Sequence, residues 1–305
     1  MPPYKKRLKS HELRALDSLN ARMELSSKDK QHYAYLEKGY QGELVFDQLT
    51  SRLQNDLYIL NDLCLEHNKS FFQIDTLIIS QQTIYPFEVK NFEGDYRYEL
   101  GNFYPKLSNK DEIKNPLDQL KRSKSLLRPS LKNLGFQLPI EDSLTFVNPN
   151  FTLYQAPLNE PIIHPSQLNS LMKKLNEVPS QLTNRHKLLA DQLISMHKTY
   201  SPYTRLPPYT YNGLQKGFIC AVCHSLICSM ERREKIVCET CGHVETVDSA
   251  VLRSVEELLL LFPDMKITTN IVYEWCRVIE SKKQISRILK QNYTLIGFGQ
   301  WSYYE

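Results

Sequence analysis

The chain has 305 residues, of which 41% are hydrophobic, 24% charged and 10% aromatic, an ordinary globular composition with length for two or three domains. Thirty-eight Lys and Arg against 34 Asp and Glu give a formal charge of +4, which admits a polyanionic partner without arguing for one. No apolar run approaches the ~20 residues that cross a bilayer, and the basic start MPPYKKRLKSHELRAL lacks the apolar core of a secretory signal. Seven cysteines, four of them in CxxC pairs, point to metal binding in a reducing compartment rather than a disulfide framework. The expected location is the cytoplasm, with no membrane association.

Residues 1–30 are polar, with Leu13, Leu16 and Leu19 marking a helical lead-in to which no chemistry is assigned. A clearer helix is expected over 33–53, where Phe46, Leu49 and Leu53 make the buried stripe. Glu43 falls one turn before Phe46 on that same side. It is either an acid favoured by the helix dipole beside Gly39 and Gly42 or an inward carboxylate with a task.

Leu57–Leu65, FFQIDTLII and IYPFEVK read as three strands of an antiparallel meander. Three charges fall inside the second and third: Asp75, Glu88 and Lys90. Alternation puts Glu88 and Lys90 on one face and Phe87 and Val89 on the other. Charges within a buried strand are costly unless paired, hydrogen-bonded or coordinating a metal. Two readings follow: a salt-bridged edge, or acids that hold a divalent cation beside a lysine that steadies water and phosphate.

The stretch NFEGDYRYELGNFYPKLSNKDEIKNP is expected to form a hairpin or loop over that site. Its Tyr96, Arg97 and Tyr98 are either contacts for bases and phosphates or half-buried strand residues. Asn115-Pro116 opens a helix bearing Gln119, Lys121, Arg122, Lys124 and Arg128. Its basic face is either simply solvated or follows a phosphate backbone. Ser143–Tyr154 supplies a last core strand and an edge marked by Pro149. Two amphipathic helices separated by Pro179 fill 165–198, and a Pro- and Tyr-rich linker is expected over 199–217.

Cys220-x2-Cys223, fourteen residues, then Cys238-x2-Cys241 is the pattern of a tetrahedral, four-thiolate structural Zn²⁺. The module, 218–248, resembles a zinc ribbon, with His224, Cys228 and His243 as spare donors. From 249 the chain reads as helices. A short one over 270–279, a turn, and a basic one at KKQISRILKQN resemble a helix-turn-helix that exposes Lys282, Lys283, Arg287 and Lys290. YTLIGFGQWSYY would be a strand or wing. The alternative is a three-helix bundle used for homodimerisation.

The run GYQGELVFDQL, ILNDL, FQIDTLII, IYPFEVKNFEGDY and NPLDQLKRS resembles the nuclease-related domain (NERD) family, a branch of the PD-(D/E)XK nuclease superfamily, over about residues 35–150. That likeness implies an α/β, restriction-endonuclease-like core within 31–198, its central mixed sheet flanked by helices. It also implies a catalytic set of Glu43, Asp75, Glu88 and Lys90, joined by Gln119. Asp75, Glu88 and the Val89 carbonyl would hold Mg²⁺ or Mn²⁺. The usual Pro-Asp pair stands here as Ile74-Asp75. The implied function is cleavage of DNA, with RNA as another possible substrate. The competing reading is a catalytically silent, DNA-binding regulatory protein.

Overall fold

The structure is a computed structural model that describes residues 2–106, 113–199, 204–227 and 235–305. The chain divides into two compact units, one of residues 1–9 with 35–203 and one of 10–34 with 204–305. The expected lead-in is therefore shared between units. Its helix, α1 (His11–Arg22), and the first residues of α2 (Ser27–Thr50) belong to the second unit, and the rest of α2 belongs to the first.

In the first unit the expected meander is present as β1 (Tyr58–His67), β2 (Ser70–Ile79) and β3 (Ile84–Lys90). A hairpin, β4 (Gly94–Glu99) and β5 (Asn102–Pro105), follows; the rest of the expected loop, 107–112, lies outside the described residues. Then come α3 (Pro116–Asn133), β6 (Ser143–Phe146), β7 (Phe151–Tyr154), β8 (Ile162–Ile163), α4 (Leu168–Glu177) and α5 (Asn184–Ser195). The main sheet has the order β1-β2-β3-β6-β8. Its first two pairings are antiparallel and its last two parallel, so it is mixed, as expected.

One face of that sheet packs on α3 and α5 through Leu127, Leu131, Leu189 and Leu193. The other packs on α2 and α4 through Phe46, Leu168 and Leu175. Helices thus cover both faces. β6 is not the last core strand, because β8 adds outside it, and β7 leaves this sheet to pair with β4 in a small second one. Residues 4 and 5 run along the free edge of β1, donating to the Ile59 carbonyl at 2.9 and 3.2 Å and accepting from Asn61 at 3.0 Å.

In the second unit, β9 (Phe218–Ile219), β10 (Leu226–Ile227), β11 (Lys235–Val237) and β12 (Val244–Thr246) form two hairpins. They are followed by α6 (Val247–Leu261), α7 (Thr269–Cys276) and α8 (Lys282–Asn292), and by a last hairpin, β13 (Leu295–Ile296) with β14 (Tyr303–Tyr304). One core joins Ala15 and Leu19 of α1 to Val251, Val255 and Leu258 of α6, Trp275 of α7 and Ile285 and Ile288 of α8. Of the expected linker, 200–203 lie outside the described residues. Beyond them Leu206, Tyr209, Tyr211 and Leu214 pack on this core, so the aromatic content that broke any regular period is used for burial.

At the centre Arg22 is fully buried and forks onto Glu257 at 2.8 and 2.7 Å, with further bonds to the carbonyls of Gln215 and Gly217. Four hydrogen bonds of this kind, two of them to a carboxylate, are what make a buried guanidinium tolerable. Among the described residues, no helix is long and apolar enough to cross a membrane.

Candidate active site and metal centre

Two irregularities in the main sheet build the site. The first is a fork. β2 and β3 are paired from Ile79–Ile84 as far as Thr76–Phe87. There they part, and β3 continues against β6 from Phe87–Ser143 to Lys90–Phe146. Parting strands leave main-chain groups without ladder partners, and such groups must be satisfied elsewhere. The Asp75 carboxylate accepts from the orphaned Val89 N–H at 2.7 Å. On the other branch α3 wedges in, where Ser123 donates to the Gln73 carbonyl at 3.1 Å and Arg122 to the Phe71 carbonyl at 3.2 Å.

The second irregularity is a break in alternation. The core on the α3 and α5 face takes Leu60, Leu63 and Leu65 from β1, and Ile74, Leu77 and Ile79 from β2. The step of three residues in each strand falls where the ladder skips Asp62 and Asp75. Asp62 there has φ of 53°, a conformation uncommon outside glycine and least so for Asn and Asp. Asp75 is thus set at the point where the sheet changes its pleat.

Glu88 is 2% exposed and accepts from the Lys90 ammonium at 2.6 Å. Lys90 also donates to Gln119 Oε1 at 3.3 Å. Gln119 reaches the strand because Pro116 starts α3, with the Asn115 side chain capping Leu117 N at 3.0 Å. Glu43 comes from α2, which lies close over the end of β3. A methyl group on Gly42 would stand 2.4 Å from the Asn91 Cβ, so the glycine here permits contact between helix and strand end.

Sequence reasoning missed Arg7. Its side chain is almost wholly buried and bonds Glu43 at 2.5 Å, Asp47 at 2.9 and 3.0 Å, the Asp75 carbonyl at 2.6 Å and Thr76 Oγ1 at 3.3 Å. Nothing in the basic run Lys5, Lys6, Arg7, Lys9 marks which residue turns inward. The edge pairing of residues 4 and 5 with β1 makes that choice.

Four carboxylates (Glu43, Asp47, Asp75 and Glu88) therefore face two cations, Arg7 and Lys90. Burial and the neighbouring Asp75 push Glu43 and Glu88 up to about 8, and burial also raises Asp75. Burial works against the Lys90 charge, but Glu88 and Asp75 outweigh it and hold the ammonium above its ordinary range. The all-oxygen donor set fits a hard divalent ion such as Mg²⁺, which binds through one or two carboxylates, keeps several waters and would displace the protons these raised acids hold. Among the described residues, only the four cysteines bring three or more candidate ligand atoms within reach of one ion. The acids at the fork do not by themselves bring three such atoms together among the described residues.

The expected nucleic-acid side chains on α3 have protein partners. Lys121 meets Glu160 at 2.8 Å, Arg122 serves the Phe71 carbonyl, and Lys124 meets Asp142 at 2.5 Å. On α8, Lys282, Lys283, Arg287 and Lys290 are exposed. Lys282 bonds Asn270 at 3.0 Å and Arg287 bonds Asp248 at 3.3 Å.

In the second unit the four sulfurs of Cys220, Cys223, Cys238 and Cys241 lie within 4.8 Å of one another, two of the separations being 3.6 and 3.5 Å. Four sulfurs at 2.3 Å from one tetrahedral ion stand about 3.8 Å apart. The cluster is consistent with structural zinc. The Ser225 hydroxyl holds the Cys238 thiol down at about 5. The His243 main chain favours the Cys241 thiolate, but burial and the other three thiols push that group up to about 12. Of the spare donors, Cys228 lies outside the described residues, while His224 and His243 stand outside the cluster.

Comparison with known proteins gives one finding. No curated protein and no solved structure matches the chain. The sequence model of the nuclease-related domain family matches residues 38–147, a span that holds Glu43, Asp75, Glu88, Val89, Lys90 and Gln119 but neither Arg7 nor the cysteine module. Residues 38–147 thus carry the signature of a nuclease-related domain, and the groups gathered at the fork of β2 and β3 come from that part of the chain.

Proposed function

We propose that the first unit is a metal-dependent phosphodiesterase that hydrolyses DNA, on a core of the PD-(D/E)XK type. The observation that carries this reading is the fork, which brings Asp75, Glu88 and Lys90 together with Gln119. A Mg²⁺ or Mn²⁺ held by Asp75, Glu88 and the Val89 carbonyl supplies neutralisation of phosphate charge and a more acidic water. The chain's own groups do the rest. The Val89 N–H fixes one Asp75 oxygen and so aims the other. Lys90, held between Glu88 and Gln119, orients the attacking water and offers positive charge to a phosphate oxygen. Glu43, raised to about 8, exchanges a proton near neutrality. The zinc ribbon and the helices after it are the nucleic-acid tether, with Lys283, Arg287 and Lys290 of α8 toward phosphates and Lys121, Arg122 and Lys124 of α3 in support.

A plasmid-nicking assay in Mg²⁺ tests this. Asp75→Ala and Lys90→Ala are each expected to lower the rate by about two to three orders of magnitude, and labelled RNA in parallel tubes assigns the substrate. Variants that nick as fast as the parent overturn the proposal. A second reading, a silent DNA-binding regulatory protein, draws on the closure of Glu88 onto Lys90 and of Glu43 onto Arg7. It predicts DNA binding without Mg²⁺-dependent cutting.

A further inference from the structure

We propose that Phe298 and Trp301, at the tip of the β13–β14 hairpin, stack on unpaired bases of a nucleic-acid strand whose phosphates follow the exposed basic side of α8. The inference takes from the preceding section only that the ligand is nucleic acid; it does not require the first unit to cut.

Phe298 is 94% and Trp301 80% exposed. Large aromatic side chains otherwise contribute heavily to a core, and every other Trp and Phe among the described residues is at least half-buried or fully so. The tip is not a frayed end. Thr294 and Glu305 exchange main-chain hydrogen bonds at 2.7 and 3.0 Å, Tyr304 N–H reaches the Ile267 carbonyl at 2.8 Å, and the Tyr304 ring is buried in the unit's core. Gly297 and Gly299, with φ of 80° and 62°, bracket Phe298. These are backbone conformations that side-chain-bearing residues avoid, and they let the turn lift the ring clear. A firm base therefore holds up two aromatic surfaces that the fold itself leaves uncovered.

The charge on the helix that leads into this hairpin selects the occupant. α8 buries Ile285, Ile288 and Leu289 and exposes Lys282, Lys283, Arg287 and Lys290. The chain passes from that helix to β13 across only Tyr293 and Thr294. Exposed lysines and an arginine on one element, and exposed aromatic rings on the element that follows it, supply the two parts a single-strand site needs: cations for phosphates and π-faces for bases. In a closed duplex the bases are already stacked on each other, so the aromatic contribution belongs to unpaired nucleotides. A lipid surface or a second copy of the chain would use the rings but not require open bases.

The chain has two tryptophans, and Trp275 is fully buried, so quenching by an added ligand reports on Trp301. The full-length Asp75→Ala protein, with its zinc and without Mg²⁺, is titrated with oligodeoxythymidine and with a duplex of the same length. Cleavage then plays no part, and failure here is separable from failure of the hydrolase reading. Expected is saturable quenching by the single strand, lost in Trp301→Phe although that variant still binds. Phe298→Ala with Trp301→Ala should weaken single-strand binding by about ten- to a hundred-fold while duplex binding changes little. Absence of quenching, or equal loss on both DNAs, overturns the proposal. So does emission that shifts with protein concentration alone, the mark of self-association, or with anionic lipid vesicles as strongly as with oligonucleotide.

Discussion

The two units treat ionisable clusters in opposite ways. In the first, three hydrophobic clusters form around a five-stranded sheet, and the acids are inserted where that sheet forks. The fold stands on apolar burial and tolerates the charge. In the cysteine module of the second unit the strands are two or three residues long, too short to hold a hairpin by ladder bonds alone. Cys220 and Cys238 are themselves buried with Phe218, Ile236 and Val251. There the thiols are part of the core, and a Zn²⁺ held by the four of them would close the turns. A cluster that costs the fold free energy is expected where chemistry is done, and a cluster that supplies it where shape is held.

Removing zinc gives the largest expected effect and separates the units most sharply. Structural sites of this kind contribute about 10–16 kcal/mol of apparent binding free energy. Cys238→Ser should therefore abolish stoichiometric zinc and unfold the module, with loss of amide protection over 218–248, while 58–90 stays protected. Metal analysis together with hydrogen exchange reads both. Unchanged zinc content would remove the basis of the contrast.

Arg7 is the next largest. Deleting a buried guanidinium that serves Glu43, Asp47 and the Asp75 carbonyl leaves uncompensated charge, at a cost of about 3–5 kcal/mol. Arg7→Ala should lower the denaturation midpoint of the first unit and leave the second unchanged. Arg7→Lys, which keeps the charge but cannot fork, should fall between. If the two units respond alike, the acids are not a burden local to the first.

Arg7 also shows where sequence reading stops. The meander, the basic-faced helix, the cysteine pairs and the positions of Asp75, Glu88 and Lys90 were legible because each rests on local period or spacing. The fork was not, since the parting of β2 from β3 depends on β6, some fifty residues later. Nor was the pleat change at Asp62 and Asp75, because a two-residue alternation contains no signal for its own interruption. The protein partners of the α3 cations were hidden for a related reason. The Phe71 carbonyl that Arg122 serves is available to it only because β2 and β3 part.

The pH dependence of the metal-free protein sharpens the same contrast. Glu43 and Glu88 stand at about 8 in the folded unit against an ordinary 4.5, raised by burial and by Asp75. Between those values the folded state keeps protons that the unfolded chain has released. Stability from these groups is fully present below about pH 4.5 and is lost as pH rises through about 8. The first unit should melt several degrees lower at about pH 8.5 than at about pH 6 without Mg²⁺, and Mg²⁺ should recover most of the difference. A melting temperature that is flat across that interval would mean the acids are already compensated.

The smallest expected effect lies on α8. Each cation that neutralises one duplex phosphate contributes about 0.9 to the slope of log affinity against log salt. Lys283 is exposed, whereas Arg287 is held at 3.3 Å by Asp248. An arginine that must leave one anion to meet another gains less by binding, because the pair it breaks offsets part of the contact it makes. Lys283→Ala should therefore flatten the slope by about 0.9 and Arg287→Ala by less, with Asp248→Asn steepening it. Equal slopes in all four proteins would assign the helix to self-association, leaving the thiolate cluster to hold a shape that DNA does not read.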